Sequence, residues 1–359
     1  MPNLDIITVR GFKSIRSLEA FELRNLNIIV GANGAGKSNF IELFRVISAM
    51  MKTGGLKEYV GGTADAYFWG GPKQTAVIEV KLRFGKNGYD FDLTPTEDGF
   101  LLIKNEKRHF LPWGKGATRN FYGVSFDAQL ATELGSEATR YTYDAITNWQ
   151  IYHFHDTGKF AGMRKYCDAG HNEKLFADAS NIAAFLLKQK EEHEKEYTSI
   201  RDAVRMVVPF FDDFLLHPTK EENIRLNWRQ KGLNDYPMRP SQLSDGSIRF
   251  ICLATALLQP TPPSTIIIDE PELGLHPEAI GILAELIKIA ATKTQVIVAT
   301  QSPLLLDQFS VEDVVVVRRE NGASTFERLK EEDYTHWLED YSLGELWTKN
   351  VIQGGTSHE

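Results

Sequence analysis

The 359-residue sequence contains only two cysteines, Cys167 and Cys252. Two thiols are too few for a disulfide scaffold or a four-cysteine metal site, so the sequence predicts a protein of a reducing compartment. No apolar run approaches the roughly 18–20 residues of a membrane-spanning helix, and no membrane partner is expected. The first fourteen residues, MPNLDIITVRGFKS, carry charges where a signal peptide has its apolar core, which predicts a cytoplasmic location.

The chain also lacks an excess of positive charge, since 40 Lys and Arg stand against 48 Asp and Glu, a formal net charge of −8. This balance argues against a strongly basic protein that coats nucleic acid. Local basic residues remain, and we interpret them first as scattered solvated charges, with DNA contact as the open alternative. They are Arg10, Lys13, Arg16, Lys104, Lys107 and Arg108.

What the chain does contain is ordinary globular composition, 42% hydrophobic and 25% charged residues, at a length that suits two compact units or one domain with insertions. Both ends alternate between strands and helices. Apolar strands that are buried on both faces are typical of a mainly parallel sheet covered by helices. The predicted elements are strands at 5–10, 26–30, 265–268, 295–299 and 313–317, and helices at 39–51, 247–258, 277–291 and 303–309.

The middle of the chain has a different periodicity. Short, partly alternating segments predict an antiparallel β meander over residues 75–155, with strands at 77–84, 89–93, 100–104 and 150–154. Residues 172–216 then predict two helices, 177–196 and 198–214, because apolar positions recur three and four apart. The charged run KQKEEHEKE within them is interpreted as a solvated helix face.

The strongest motif is a glycine loop at residues 31–38, GANGAGKS, which lies between a predicted strand and a predicted helix. It fits the pattern G-x-x-x-x-G-K-[ST], in which glycines let successive backbone N–H groups surround phosphate oxygens. Lys37 is predicted to reach the β- and γ-phosphates, and the Ser38 hydroxyl to take one position on Mg²⁺.

A second motif is the apolar strand that ends in Asp269 and Glu270. Ligands of α/β sheets collect at the carboxyl ends of the strands, where these two side chains emerge. Asp269 is predicted to hold Mg²⁺ through water, and Glu270 to accept a proton from an attacking water.

A third motif precedes that strand. Ser244 is a good helix cap and Gly246 permits close backbone approach, so residues 243–247 (LSDGS) are a potential anion-binding helix start. The segment resembles the LSGGQ-type signature of ABC ATPases, with Asp245 and Ser247 in place of a Gly and the Gln. Together with GFKS at 11–14, it resembles the RecF/SMC-like branch of these ATPases and, within that branch, small bacterial AAA-family ATPases. Residues 269–277, 299–307 and 342–347 carry the same resemblance.

The resemblance implies an α/β fold: an ABC-type P-loop NTPase head with a mainly parallel core sheet, an inserted antiparallel β meander and a helical lid subdomain. The expected units are an N-terminal ATPase lobe (1–160), a lid insertion (161–240) and a C-terminal ATPase lobe (241–359). The expected ligands are ATP and Mg²⁺. The residues that the resemblance places on the nucleotide are Asn33, Gly34, Ala35, Gly36, Lys37, Ser38 and Asn39.

The resemblance further implies a head-to-tail homodimer, or a higher oligomer, with two ATP molecules between subunits. Ser244 and Gly246 of one copy would face the loop around Lys37 of the other, and residues 274–277 would cross the interface. At the switch position, where transporters of this class usually have His, the chain has Gln301. A glutamine can donate a hydrogen bond to the γ-phosphate but cannot become a cation near neutral pH, so slow ATP turnover is expected. The Q-loop glutamine is Gln150 or Gln74.

Two functions remain open at this stage. The first is an ATPase that acts on DNA or regulates a separate effector, a nuclease or toxin, in DNA repair or defence against phage. The second is a nucleotide-gated scaffold or inhibitor of such an effector, with incidental hydrolysis. A transporter's nucleotide-binding subunit fits less well, because 232 positions (269 − 37) separate the two nucleotide motifs. The segment with His153, His155 and Asp156 could suggest a metal site. This site is disfavoured, because the two histidines would need a further ligand that the sequence does not identify.

Overall fold

The computed structural model describes residues 3–111 and 116–352, and the side chains of 234 and 235 are left aside. The strands are β1 (Ile6–Phe12), β2 (Ile15–Glu22), β3 (Leu26–Val30), β4 (Ile78–Phe84), β5 (Asn87–Pro95), β6 (Leu101–Phe110), β7 (Ala117–Asn120), β8 (Trp149–Tyr152), β9 (Cys167–Asp168), β10 (Phe211–Leu215), β11 (Asn223–Ile224), β12 (Asn227–Gln230), β13 (Leu233–Met238), β14 (Thr265–Asp269), β15 (Gln295–Thr300), β16 (Val314–Glu320) and β17 (Ala323–Arg328). The helices are α1 (Lys37–Met50), α2 (Gly55–Val60), α3 (Gln129–Thr132), α4 (Glu137–Thr147), α5 (Ile182–Glu192), α6 (Glu194–Val207), α7 (Asp245–Leu258), α8 (Pro277–Ala291), α9 (Pro303–Leu306), α10 (Glu331–Leu338) and α11 (Leu343–Thr348).

A six-stranded sheet in the order β17-β16-β3-β15-β14-β8 forms the centre of the molecule. Five of its strands are parallel, and β17 pairs antiparallel with β16 at one edge. The residues of β3 and β15 are all buried, which is the consequence of near-continuous apolar sequence in strands covered on both faces. The predicted parallel core sheet is confirmed, and all five strand ends that could face a ligand lie along one edge.

The second six-stranded sheet is antiparallel, in the order β2-β1-β4-β5-β6-β7. The meander prediction is confirmed for its first three segments, which correspond to β4, β5 and β6. Helix α1 packs between the two sheets, because Phe40 and Phe44 share one hydrophobic cluster with β4 residues and with Ile267 of the central sheet. The glycine loop is therefore anchored by a helix that is buried between two layers.

The prediction of a meander strand at 150–154 was wrong. Its first three residues belong to β8, which lies at the edge of the central sheet and pairs parallel with β14, with Trp149 opposite Thr265 and Tyr152 opposite Ile268. Helix α4, which was not predicted, precedes β8, and residues 153–264, which contain α5, α6 and α7, form the crossover that the parallel pairing with β14 requires. A four-residue strand carries no signal of its partner, since pairing is decided by contacts distant in sequence.

The predicted second helix of the central segment was too long. Helix α6 ends at Val207, Pro209 follows, and residues 211–215 form strand β10 instead. Besides α5 and α6, residues 161–240 contain a three-stranded sheet, β10-β12-β13, and the short pair β9-β11. The division into three units remains a prediction, and residues 1–2 and 353–359 at its outer limits lie outside the described residues.

The elements after residue 241 follow the predictions closely, with α8 identical in its bounds and α9 shorter than expected. Strand β17 and helices α10 and α11 were not predicted. In the described ranges, no helix combines the length and apolarity needed to cross a bilayer.

Candidate functional site

The glycine loop connects β3 to α1 at the carboxyl edge of the central sheet. Gly34 and Gly36 adopt positive φ of 78° and 121°, a backbone that side chains disfavour. Lys37 turns back over the loop, and its ammonium donates to the carbonyls of Gly31 (2.6 Å) and Ala32 (3.3 Å). Burial lowers the pKa of Lys37, and nearby carboxylates, Glu270 foremost, oppose that shift. The loop thus has the curled shape and the inward lysine that phosphate binding requires.

Two buried serines from distant segments brace the loop from behind. The Ser324 hydroxyl of β17 donates to the carbonyl of Ala35 (2.5 Å) and is hydrogen-bonded to the Ser14 hydroxyl (2.7 Å). Asn39 of α1 donates to the same Ser14 hydroxyl at 2.7 Å. Asn39, expected at the nucleotide, therefore supports the loop from α1. Ser324 was missed from the sequence because nothing local connects β17 with the glycine loop.

Replacing Gly36 with alanine is expected to lower the free energy of unfolding by about 2–4 kcal/mol, through backbone strain and overpacking. A Cβ there would collide with the Ser324 hydroxyl and lie 2.8 Å from that of Ser14. Gly34→Ala is the matched control, because its φ is also positive but, apart from its two chain neighbours, no described residue has an atom within 4 Å of its Cβ. Urea unfolding measures both. Equal losses would contradict the role assigned to the serine brace.

Asp269 and Glu270 emerge together where β14 ends. Glu270 has a φ of 46°, unusual for a residue with a side chain, and its N–H donates to the carbonyl of Ala299 at 2.8 Å. Burial, followed by the charge of Glu270, raises the pKa of Asp269. A strained carboxylate beside another partly buried one is typical of a site where charge is to be compensated by a ligand.

Gln301 links the carboxylates to the glycine loop. Its side-chain amide donates to Glu270 (2.6 Å) and to Asn33 (2.9 Å). The fold thus brings together the residues predicted to act on the nucleotide, although they derive from β3, β14 and β15. Exposed Ser38 lies in the first turn of α1, next to Lys37.

The residues predicted for Mg²⁺ are compatible with that ion. Within the described ranges, neither the Ser38 hydroxyl nor the Asp269 carboxylate is engaged in a hydrogen bond, so both oxygens remain open to a hard cation. The raised pKa of Asp269 points the same way, because a divalent cation would compensate the negative charge that it shares with Glu270.

Glu272 is a nearby carboxylate that the sequence reasoning did not select. Its Oε1 accepts from the Thr300 hydroxyl at 2.5 Å, and its buried Oε2 has no partner among the described residues. Burial raises the pKa of Glu272. Its position two residues after Glu270 in the same segment was the available signal.

The signature segment lies at the start of α7. The exposed Ser244 caps this helix by accepting from the N–H of Ser247 at 3.1 Å. Gly246 packs so closely on Gly274 that an added Cβ would lie 2.5 Å from the Gly274 carbonyl oxygen. No hydrogen bond within the described part of the chain joins Ser244 to the loop around Lys37. Among the described residues, these two parts of the predicted site are therefore not linked by a hydrogen bond within one chain.

Arg249 ties the signature helix to the end of β8. Its buried side chain donates to the carbonyls of Phe154 (2.9 Å) and His155 (3.1 Å). Arg249→Ala is expected to lower the free energy of unfolding by about 2–4 kcal/mol, because two carbonyls lose their donor and a buried side chain is removed. Calorimetry of both variants measures this loss. Arg24→Ala is the control, because this side chain is 48% exposed and its removal should lower the free energy of unfolding by less than about 1 kcal/mol. Equal effects would contradict this reading.

Neither Q-loop candidate reaches the site edge. Gln150 lies within β8 and is paired with Ile266, a residue of β14 that comes three positions before Asp269. Gln74 is exposed in a turn before β4. His155, just after β8, instead approaches Asp269 and opposes the rise in its pKa. No group of three or more His, Cys, Asp or Glu residues is arranged for a metal ion in the part of the chain that the structure describes.

Known proteins resemble the chain at two levels. No curated protein matches the sequence. Two SMC heads are among the solved structures that share its fold. An SMC head bound to the C-winged helix domain of ScpA has a TM-score of 0.59 and 18% identity, over 93% of this chain and 100% of the other. An SMC head with an extended coiled coil, bound to the C-terminal domain of ScpA and derived from Pyrococcus furiosus, has a TM-score of 0.54 and 15% identity, over 95% and 99%.

A family model matches residues 26–307, which is well over half of the chain and includes the glycine loop, the signature segment and both carboxylates. The family is described as "AAA domain, putative AbiEii toxin, Type IV TA system". With the SMC-head fold, this match confirms the resemblance to AAA-family and RecF/SMC-like ATPases. The chain belongs to this AAA-domain family.

Proposed function

We propose that the chain binds and hydrolyses ATP with Mg²⁺ and closes head to tail on a second copy around the nucleotide. The observation that carries the proposal is the bridge by which Gln301 joins Glu270 to Asn33 of the glycine loop. The proposed base and the phosphate-binding loop are thereby held next to each other.

In the proposed reaction, water attacks the γ-phosphorus, the bond from that phosphorus to the β,γ-bridging oxygen breaks, and ADP leaves. Glu270 accepts the proton of the attacking water, and Gln301 exchanges its hydrogen bond to Asn33 for one to the γ-phosphate. Lys37 leaves the carbonyls of Gly31 and Ala32 and places its ammonium on the β- and γ-phosphates. Ser38 and Asp269 would hold Mg²⁺, which offsets the charge of the phosphate oxygens. Turnover is expected to be slow, because Gln301 remains neutral near pH 7.

The dimer is supported by the position of the signature segment. The N-terminus of α7 carries partial positive charge, and exposed Ser244 adds a hydroxyl, so together they suit a phosphate. Since no hydrogen bond between described residues joins this helix start to the chain's own glycine loop, a second copy would supply it. ATP would then join the two surfaces, and hydrolysis would release them.

The size of the Glu270→Gln variant tests this proposal. Light scattering should find a dimer with ATP and Mg²⁺ and a monomer without them. A monomer under both conditions, at concentrations where ATP binding is demonstrated, would contradict the proposal.

For the cellular role, we favour regulation of a separate effector, a nuclease or toxin, over direct action on DNA. The description of the family names a toxin, and both SMC-head structures hold a piece of a partner protein. Two of the basic residues considered for DNA are already engaged or shielded, since Arg10 pairs with Glu19 and Glu79 and Arg108 is buried. These contacts argue against a DNA-binding surface on the antiparallel sheet, to which both arginines belong.

The same observations accommodate a scaffold or inhibitor in which hydrolysis is incidental, as well as roles in defence or repair. Purification from the native host separates them. A stoichiometric partner that is released when ATP is hydrolysed supports effector regulation. Release by another trigger, unaltered in Glu270→Gln, supports the scaffold, and isolation alone with DNA-stimulated turnover supports action on DNA.

A further inference from the structure

A cavity of about 730 Å³ lies beside β8, the edge strand of the central sheet. Its walls come from α4, β8, α5 and residues 259–263 that follow α7. This volume lies within the range of small-molecule sites in proteins. Gln150, the Q-loop candidate that does not reach the site, is one of its lining residues. No residue of the glycine loop or the signature segment lines the cavity, and neither do Asp269, Glu270 and Gln301, so it is separate from the proposed ATP site.

The lining includes polar groups that are almost fully buried. Gln189 of α5 is 3% exposed, and its Oε1 accepts no hydrogen bond from a described residue. A buried amide oxygen without a donor is costly, so Gln189 is a candidate to receive one from a ligand. Its last torsion is soft, which lets the amide turn toward a donor in the cavity.

Tyr152 of β8 supplies the complementary function. Its oxygen accepts from the Gln259 amide at 3.1 Å, and that amide also donates to the carbonyl of Ala256 at 2.6 Å. Burial raises the pKa of Tyr152 to about 12, so the hydroxyl remains protonated at neutral pH. Its own proton is therefore available to an acceptor on a ligand.

The remaining lining limits the charge of the ligand. The ring of Tyr141, which is 40% exposed, offers flat apolar surface to a planar group, and Phe185, which is 3% exposed, belongs to the core that backs the cavity. Three carboxylates and two lysines line the cavity, and one of those lysines is paired with two of the carboxylates. The carboxylates are Asp144, Glu173 and Glu192, and the lysines are Lys174 and Lys188. This balance disfavours a polyphosphate and accepts an uncharged ligand.

We propose that this cavity binds a nitrogen heterocycle of the nucleobase class, as free base or nucleoside, with Gln189 and Tyr152 contacting a donor and an acceptor on its edge. A nucleobase presents both kinds of atom on one planar edge and stacks on aromatic rings. The inference is independent of the ATPase activity, because it concerns a different set of residues.

Calorimetric titration of the Lys37→Ala chain tests it without interference from the glycine loop. The probes are adenosine, guanosine, cytidine, uridine and their free bases. At least one should bind with a Kd of about 0.1 mM, which is what a ligand of this size commonly reaches. Absence of binding for all of them would overturn the proposal, whatever the ATPase assays show.

Substitutions in the Lys37→Ala background locate the binding. Gln189→Leu should weaken it by about 10-fold or more, and Tyr152→Phe, which keeps the ring, by about 3- to 10-fold. Gln308→Leu, outside the cavity, should leave it unchanged. If Gln189→Leu does not fold, Tyr152→Phe decides alone. Unaltered affinity in Tyr152→Phe and in any folded Gln189→Leu protein would overturn the proposal.

Discussion

Glu270→Gln is expected to lower the rate of ATP hydrolysis by about 10²–10⁴-fold, the usual contribution of a general base. Affinity for ATP should change by less than about threefold, because Lys37 and the glycine loop are untouched. The substituted side chain keeps an oxygen that can accept from Gln301, so the 2.6 Å contact can persist. Only the capacity to take up a proton is removed, and the closed, ATP-bound dimer should therefore accumulate.

A phosphate-release assay and equilibrium ATP binding measure the two effects separately. Glu278→Gln is the control, since this carboxylate is 91% exposed and lies eight residues along the chain. The control should hydrolyse ATP like the unaltered protein. If Glu270→Gln also retained the normal rate, the general base would have to be another group, and the nearby carboxylate of Glu272 would be the candidate.

Mixing two inactive variants is the second decisive experiment. Lys37→Ala removes the phosphate-binding ammonium, and Ser244→Arg blocks the start of α7, so each protein alone should lose about 10²-fold or more in turnover. In a head-to-tail dimer of one copy of each, one site keeps both intact halves. An equimolar mixture should then regain about a quarter of normal activity, since half of the dimers are mixed and each has one good site.

A matched mixture excludes trivial recovery. Lys37→Ala combined with the double variant Lys37→Ala/Ser244→Arg cannot form an intact site and should stay inactive. Full turnover by Ser244→Arg on its own would contradict the composite site, because one chain would then suffice for catalysis.

Local sequence was enough to predict the parts of the site that are continuous in the chain. The glycine loop with α1 and the strand ending in Asp269 and Glu270 depend on nearest-neighbour conformational preferences, and the structure reproduces them. Gln301 was assigned to the site only through the family resemblance of its segment, because no local sequence pattern points to this residue. The structure then placed it between Asn33 and Glu270.

The remaining features depend on contacts between segments far apart in the chain. Ser14 and Ser324 meet across 310 positions, and Arg249 reaches the carbonyl of Phe154 across 95. Strand β8 also depends on such a distant contact. Its short alternating sequence predicted a strand of the antiparallel sheet, but it pairs with β14 of the central sheet.

By itself, then, the sequence determined the parallel core and the phosphate-binding loop, because periodicity and turn chemistry act over a few residues. Only the tertiary structure decided which strand closes the sheet, which side chains brace the loop, and that a polar cavity lies beside β8. The physical reason is that these properties arise from packing, and a buried partner such as Gln259 for Tyr152 is chosen by proximity in space, 107 positions away in the chain.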